Sequence, residues 1–335
     1  GGIVGEGFPH PPPGAHAEIV ALKQADKSAR GATLYVTLEP CPHFGRTPPC
    51  ADAIIEAGIA EVHYAMADPD PLVDGRGHRK LEDAGIAVHV GEGEAEARRI
   101  NEAFIKHRAK GIPFVIAKFA ASLDGRIAAA SGDSRWVSGP QTRDWAHDLR
   151  TKVDAILVGS STVVIDDPLL TARPGGREAG RQPLRVVVDS RGRTPPMARV
   201  LTSSARTLVA TVEGAPGAWW DSLRATGAEV VAFPALEGRV DLLALLRELA
   251  GRDVLSLLVE GGGVILGSFF DRGLVDKVQA VIAPIIIGAE DAPAAVAGQG
   301  AYRMADALRL RDITVERLGE DLLVTGYPDY QAAKD

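Results

Sequence analysis

His16-Ala17-Glu18, Glu39-Pro40-Cys41 and Cys50 gather one imidazole, two thiols and two carboxyl groups in a short stretch of chain. An imidazole and two thiolates are the donors that suit Zn²⁺, and three of them leave the fourth tetrahedral position to water, as in a catalytic site. Zinc in such a site lowers the pKa of bound water to about 7. Glu18, two positions from His16, is then a proton carrier rather than a ligand. His16 opens a helical pattern over 18–27, Cys41 follows a strand-like run over 33–38, and Cys50 begins a helix after Pro48-Pro49. Helix N-termini favour anionic thiolates. The competing readings are a coincidental H-x-E, a structural zinc completed by His43, or a disulfide between the chain's two cysteines. His10, His63, His78, His89, His107 and His147 show no ligand spacing.

The elements that must position these groups alternate between strand and helix. Runs at 33–38, 62–67 and 86–90 read as strands, 52–57 and 79–84 as helices, and 92–110 as a charged helix ending at Gly111-Ile112-Pro113. A domain boundary falls there, giving domains over 1–110 and 111–335. The second repeats the rhythm, with apolar runs at 114–120, 155–159, 184–189, 207–210, 229–233, 254–259 and 275–287 and a helix over 241–250. Such alternation predicts an α/β layered sheet in each domain. The Gly- and Arg-rich stretch 173–181 reads as a surface loop.

Lys+Arg 37 against Asp+Glu 44 gives a net charge of −7, which provides no strong overall field for nucleic acid or an anionic membrane. The longest apolar run, 278–289, contains Gln279 and Pro284 and is too short to span a bilayer. Two cysteines are too few for a disulfide scaffold, which favours a reducing, cytoplasmic setting. A small molecule is the expected partner, with no nucleic acid and no membrane. Glu260-Gly261-Gly262-Gly263 follows a buried strand and precedes a helical run over 264–270, so backbone N–H groups there suit a pyrophosphate. The spacing does not fit G-x-G-x-x-G, because Gly267 falls one position late. Arg150 and Arg173 suit forked recognition of a phosphate, Lys118 suits donation to developing charge, and Trp136 suits packing on a ring.

The H-x-E then P-C order is that of the zinc nucleobase deaminases, except that eight residues separate the cysteines instead of two. The long spacing has its own parallel. Tyr35-Val36-Thr37-Leu38-Glu39-Pro40-Cys41-Pro42-His43-Phe44-Gly45-Arg46-Thr47-Pro48-Pro49-Cys50 resembles the bifunctional deaminase/reductase family of riboflavin biosynthesis. So do Asp68-Pro69-Asp70-Pro71 with Gly75 and Gly77, Lys118-Phe119-Ala120-Ala121-Ser122-Leu123-Asp124-Gly125-Arg126, Asp166-Asp167-Pro168-Leu169-Leu170-Thr171-Ala172-Arg173, and Val259-Glu260-Gly261-Gly262-Gly263. The five motifs occur in order along nearly the whole chain.

The resemblance implies a cytidine-deaminase-like α/β/α layered domain followed by a dihydrofolate-reductase-like α/β domain. It implies zinc-dependent deamination of 2,5-diamino-6-(5-phosphoribosylamino)pyrimidin-4-one, then NADPH-dependent reduction of the ribosyl group to ribityl. His16, Cys41 and Cys50 are then zinc ligands and Glu18 the proton shuttle. Ala120, Trp136, Thr162, Asp166, Ser190, Gly262, Gly263, Val264, Ile265, Leu266, Gly267 and Ser268 match cofactor positions. Ser134, Arg150, Leu170, Arg173 and Glu260 match substrate positions, and Lys118 and Asp189 sit where the family has polar groups near the reacting carbon. The resemblance also implies a homo-oligomer formed through the reductase domain.

Gly1-Gly2-Ile3-Val4-Gly5-Glu6-Gly7 reads as the turn and second strand of a hairpin whose first strand is absent, so an incomplete deaminase pocket with reductase activity alone is the expected alternative. Two further readings are a zinc deaminase for a free or tRNA base fused to an unrelated reductase, and a zinc-stabilised binding module without catalysis.

Overall fold

The computed structural model describes residues 2–9, 14–45, 47–70, 73–202 and 204–331. Gly1, His10, Arg46 and Pro71, named above, lie outside them. The chain divides into two compact units, Gly1–Lys110 and Gly111–Asp335.

In the first unit, β1 (Thr33–Leu38), β2 (Glu61–Met66) and β3 (Ala87–Val90) form a parallel sheet in that order. Parallel neighbours need crossover connections. They are provided by α2 (Cys50–Ala57) and α3 (Arg76–Asp83), while α1 (Ala17–Ala25) precedes β1. Ala25, Ala51, Ile54, Val62, Leu81 and Ile86 form one core, with helices and sheet both contributing. Gly58 ends α2 in the left-handed conformation (φ 70°), and its N–H reaches back to the carbonyls of Ile54 and Ile55.

The stretch 92–110, expected as one helix, is two: α4 (Glu94–Ile100) and α5 (Glu102–Lys110). Asn101 leaves helical geometry between them (φ −99°, ψ 11°), and its side-chain amide donates to the Ala97 carbonyl at 2.9 Å. Ala97 packs with Ala65 and Met66, and Leu38 and Ile105 close around them.

The second unit is built on a nine-stranded sheet in the order β13-β14-β12-β4-β11-β5-β6-β7-β8. Its strands are β4 (Phe114–Ser122), β5 (Ala155–Gly159), β6 (Leu184–Val188), β7 (Thr207–Val212), β8 (Glu229–Phe233), β11 (Ser256–Val259), β12 (Lys277–Ala283), β13 (Arg309–Leu318) and β14 (Asp321–Asp329). β9 (Ala235–Leu236) and β10 (Arg239–Val240) form a separate small hairpin. From β12 to β8 every pairing is parallel; β14 and β13 join antiparallel. The chain winds outward from β4 to β8 through α6 (Pro140–Thr151), α7 (Ser160–Asp166) and α8 (Gly217–Arg224). It then returns through α9 (Leu242–Gly251) to β11 and through α10 (Gly263–Asp271) to β12. Right-handed crossovers put the outward and returning helices on opposite faces.

Leu242, Leu245, Leu246 and Leu249 of α9 and Leu266 and Phe269 of α10 cover Val115, Ala117, Leu157, Val186, Leu208 and Leu257. The alternating residues Ile116, Ile156, Val158, Val187, Val209 and Leu258 point the other way and are equally buried. This two-sided burial makes the strands read as continuous apolar runs. Asp241 starts α9 by accepting from the N–H groups of Leu243 and Ala244. β12 stops at Ala283, short of the expected 287, because Pro284 has no N–H for the ladder. Among the described residues no helix is long and apolar enough to cross a membrane.

Arg185 of β6 is fully buried without a carboxylate partner among the described residues. Its guanidinium donates to the carbonyls of Leu169 (3.2 Å), Thr202 (2.6 Å) and Ala205 and to Ser204 Oγ (3.2 Å), tying the loop after α7 to the turn before β7. Burial draws its pKa down to about 10. Arg185→Met strands those carbonyls, so we expect a loss of about 2–4 kcal/mol from the second unit. Urea unfolding followed by tryptophan fluorescence checks this, since Trp136, Trp145, Trp219 and Trp220 all lie in that unit. An unchanged midpoint would contradict it.

Candidate active sites

Cys41 follows the carboxyl end of β1, Cys50 is the first residue of α2, and His16 is the residue before α1. Their ligand atoms lie within 4.8 Å of one another. His16 Nδ1 is 3.2 Å from Cys50 Sγ and 3.7 Å from Cys41 Sγ. On the far side of the ring, Nε2 lies 3.1 Å from Thr47 Oγ1, so Nδ1 is the nitrogen left for a metal while Thr47 orients the ring. Neither cysteine is in a disulfide, which removes that reading. Glu18, on the first turn of α1, is 8% exposed. Burial raises its pKa, and its carboxyl group lies within hydrogen-bonding reach of Cys50. The Cys50 side chain and backbone N–H and the His16 ring hold the Cys41 thiol at about 4, despite burial. Cys50 is pushed up by Cys41, by burial and by Glu18. Two thiols and one imidazole nitrogen converging this closely, with a buried carboxyl group beside them, fit zinc with one coordination position open.

The second unit holds a cavity of about 600 Å³. Its walls come from β4 (Lys118, Ala120), the start of α7 (Ser160, Thr162), the residues after β6 (Ser190, Arg191) and the β11–α10 junction (Glu260 to Val264). Because β11 inserts between β4 and β5, these walls meet at the crevice where the winding reverses, which is where open α/β sheets take ligands. Glu260 pairs with Arg150, Nη2 to Oε2 2.5 Å and Nε to Oε2 3.2 Å. Burial pushes Glu260 up, but Arg150 and Lys118 outweigh it and leave the carboxylate below its ordinary pKa. Burial and the neighbouring Arg150 lower the pKa of Lys118.

Residues 3–66 match the cytidine and deoxycytidylate deaminase zinc-binding region, and residues 113–324 match the RibD C-terminal domain. The riboflavin biosynthesis protein RibD of Aquifex aeolicus is 41% identical over 97% of this chain and 88% of its own length. The chain belongs to the RibD family. Among solved structures, Acinetobacter baumannii RibD superposes with a TM-score of 0.85 at 35% identity, covering 97% of this chain and 89% of that one. A Thermotoga maritima deaminase/reductase gives 0.82 at 34% identity, over 97% and 88%.

This RibD-family chain is a bifunctional enzyme of riboflavin biosynthesis, a zinc deaminase joined to a reductase. The reductase-only reading is not favoured, since the deaminase match spans residues 3–66 and the three ligands come together.

Of the expected reductase positions in this RibD-family chain, Lys118, Ala120, Ser134, Thr162, Asp166, Ser190, Glu260, Gly262, Gly263, Val264, Ile265 and Ser268 line the cavity. Ser134 Oγ donates to Asp166 at 3.1 Å. Leu266 and Gly267 do not line it. Leu266 is fully buried in the core, and a Cβ on Gly267 would lie 1.3 Å from the Ala297 carbonyl oxygen. The Gly262 N–H, expected to be open for an anion, donates to Thr162 Oγ1 at 3.1 Å. Trp136 is 68% exposed and lies under the Arg143 guanidinium, lining a separate, smaller cavity. Leu170 is buried with φ 54°. Asp189 is fully buried and organises the turn after β6, accepting from the N–H groups of Arg191, Arg193 and Thr194 and from Thr194 Oγ1. Arg150 spends its fork on Glu260 and the Thr171 carbonyl, leaving Arg173, which donates to Thr171 Oγ1, as the freer cation of the expected pair. Arg191, Arg193, Arg239 and Arg272 also line the cavity; no spacing in the chain marked them.

Glu39, which lies in the first of the five motifs but has no role legible from the sequence, is 2% exposed. It accepts from the N–H groups of Gly75 (3.0 Å), His78 (3.1 Å) and Asp68 (3.4 Å), fastening the end of β1 to the start of α3. A Cβ on Gly77 would lie 2.0 Å from the Pro40 carbonyl oxygen, which explains why glycine stands there. Beside Glu39, Asp68 is buried and accepts from the Asp70 N–H at 2.9 Å. Burial, Asp70 and Glu39 raise its pKa to about 6, although the Asp70 N–H and Arg108 favour the ionised form. Between about pH 4 and pH 6 the folded chain therefore holds a proton that the unfolded chain releases, and this carboxyl group costs stability as pH rises through that window. Asp68→Asn keeps the acceptor oxygen and removes the ionisation. We expect it to stabilise the first unit by about 1–3 kcal/mol at pH 8 and by less at pH 5. Calorimetric unfolding at both pH values checks this; equal effects would refute it.

Proposed function

We propose that the first unit hydrolyses the amino group of 2,5-diamino-6-(5-phosphoribosylamino)pyrimidin-4-one, and that the second reduces the resulting ribosylaminouracil to its ribityl form. The observation that carries the reading is the convergence of His16 Nδ1 and the two Sγ atoms beside a buried Glu18. The similar Thermotoga maritima protein is named a diaminohydroxyphosphoribosylaminopyrimidine deaminase and 5-amino-6-(5-phosphoribosylamino)uracil reductase, which supports the substrate assignment.

His16, Cys41 and Cys50 would hold zinc, which when bound would supply a water activated at neutral pH. Glu18 takes the proton of the attacking water and delivers it to the departing amino group, a task suited to a carboxyl group whose pKa burial has raised. In the second unit, bound NADPH would supply the hydride for C1′ of the ribosyl group, whose bond to the ring oxygen breaks as C1′ accepts it. Lys118 gives the accompanying proton to the ring oxygen, and burial makes that ammonium a better acid. Glu260, itself held by Arg150, attracts the Lys118 ammonium, Arg173 takes the substrate phosphate, and Arg191 and Arg193 with Ser190 attract the cofactor phosphates.

Two reduced cysteines in ligand geometry support a cytoplasmic setting. Exposed Ile313 and Val315 on β13, at the edge of the large sheet, support a homo-oligomer formed through the second unit.

Glu18→Gln is expected to cut ammonia release by about 10²–10⁴-fold while zinc content, and NADPH oxidation with the already deaminated substrate, stay unchanged. Ammonia release at the parent rate would refute the shuttle. Conversely, Lys118→Met should lower NADPH oxidation with the already deaminated substrate by about 100-fold or more, leaving ammonia release intact. A change confined to KM would show that Lys118 binds rather than donates.

A further inference from the structure

His63 and His89 stand opposite one another in the parallel register of β2 and β3, with Tyr35 in the same row on β1. The three rings form a ladder across the sheet. Tyr35 and His63 stack at 4.6 Å between centroids, as do His63 and His89. Glu61, two positions before His63, shares its face of the strand. One carboxylate oxygen, Glu61 Oε1, lies 3.0 Å from Nε2 of both histidines. The ligand atoms of Glu61, His63 and His89 all fall within 4.8 Å of one another. α4 covers the other end of this face, where Ala65 packs on Ala97, and leaves this end open, with Tyr35 67% exposed.

We infer that Glu61, His63 and His89 form a second metal site, for a first-row divalent cation of the Zn²⁺ class, spanning the first half of β2 and the facing residue of β3 and separate from the thiol site beyond the carboxyl end of β1.

Two imidazoles and one carboxylate select this class over Mg²⁺ or Ca²⁺, which prefer all-oxygen shells. A second carboxylate completes the arrangement, with Glu92 Oε2 3.5 Å from His63 Nδ1. His63 thus stands between two acceptors, and a neutral ring satisfies only one of them with its single N–H. With a cation on Nε2 the hydrogen resides on Nδ1 and points at Glu92, the carboxylate–histidine–metal relay that orients ligand rings in metalloproteins. The cation also clips β3, an exposed edge strand, to β2.

The test is zinc titration of the 335-residue chain with its thiol site already filled. The parent is expected to take up a second zinc per chain, and His63→Asn and His89→Asn each to lose it while retaining the first. Glu92→Gln should weaken the second site by about tenfold, a loss that adventitious binding to surface histidines would not show. Cu²⁺ placed in the second site should show electron-spin-echo modulation from two imidazole nitrogens. One zinc per chain in the parent, or a second zinc that survives both histidine substitutions, overturns the proposal.

Discussion

Parallel strand pairing is the constraint on which both sites depend. Parallel strands gather their carboxyl ends on one side of a sheet, and each end hands the chain to a connection that must turn back toward a helix. Cys41 is set by the end of β1, and the thiol of Cys50 by the start of the helix that follows. Glu260 comes directly after β11, and Ser160 and Thr162 directly after β5. A slip of one residue in any of these pairings would carry the functional side chain to the other face of its sheet.

Buried charges are accommodated at both ends of these strands. Glu39, Asp189 and Arg185 are nearly or fully inaccessible, and each is satisfied chiefly by backbone groups of a neighbouring turn. A carboxylate that accepts several N–H groups, or a guanidinium that donates to several carbonyls, fixes an irregular loop as firmly as a strand fixes its neighbour. The loops that carry Cys41, Ser190 and Leu170 owe their shape to these three residues. Lys118, Glu260 and Arg150 differ, because there the charges compensate one another within a wall of the cavity.

Much of this was legible in the chain. The layered α/β class follows from apolar runs buried on both faces. The trio His16, Cys41 and Cys50 stood out because soft ligands are scarce here and each sits at the edge of an element. The hairpin of β13 and β14 was not foreseen, since β13 carries charges along its length, is exposed nearly throughout and shifts register between Arg311 and Thr314. Asp189 and Trp136 show the limit of position alone: one is consumed by its own turn, the other by Arg143. His63 and His89 show the converse, because a spacing that exists only across two strands leaves no trace along one.

Helix α10 joins two obligations in alternating positions. Val264, Ile265 and Ser268 face the cavity, whereas Gly267 lies against the Ala297 carbonyl and Leu266 is sealed in the core. Drift in ligand preference is therefore open to one stripe of this helix and closed to the other. Variation that retunes the cavity will be drawn from side chains on the open stripe, while the backbone beneath them keeps its position.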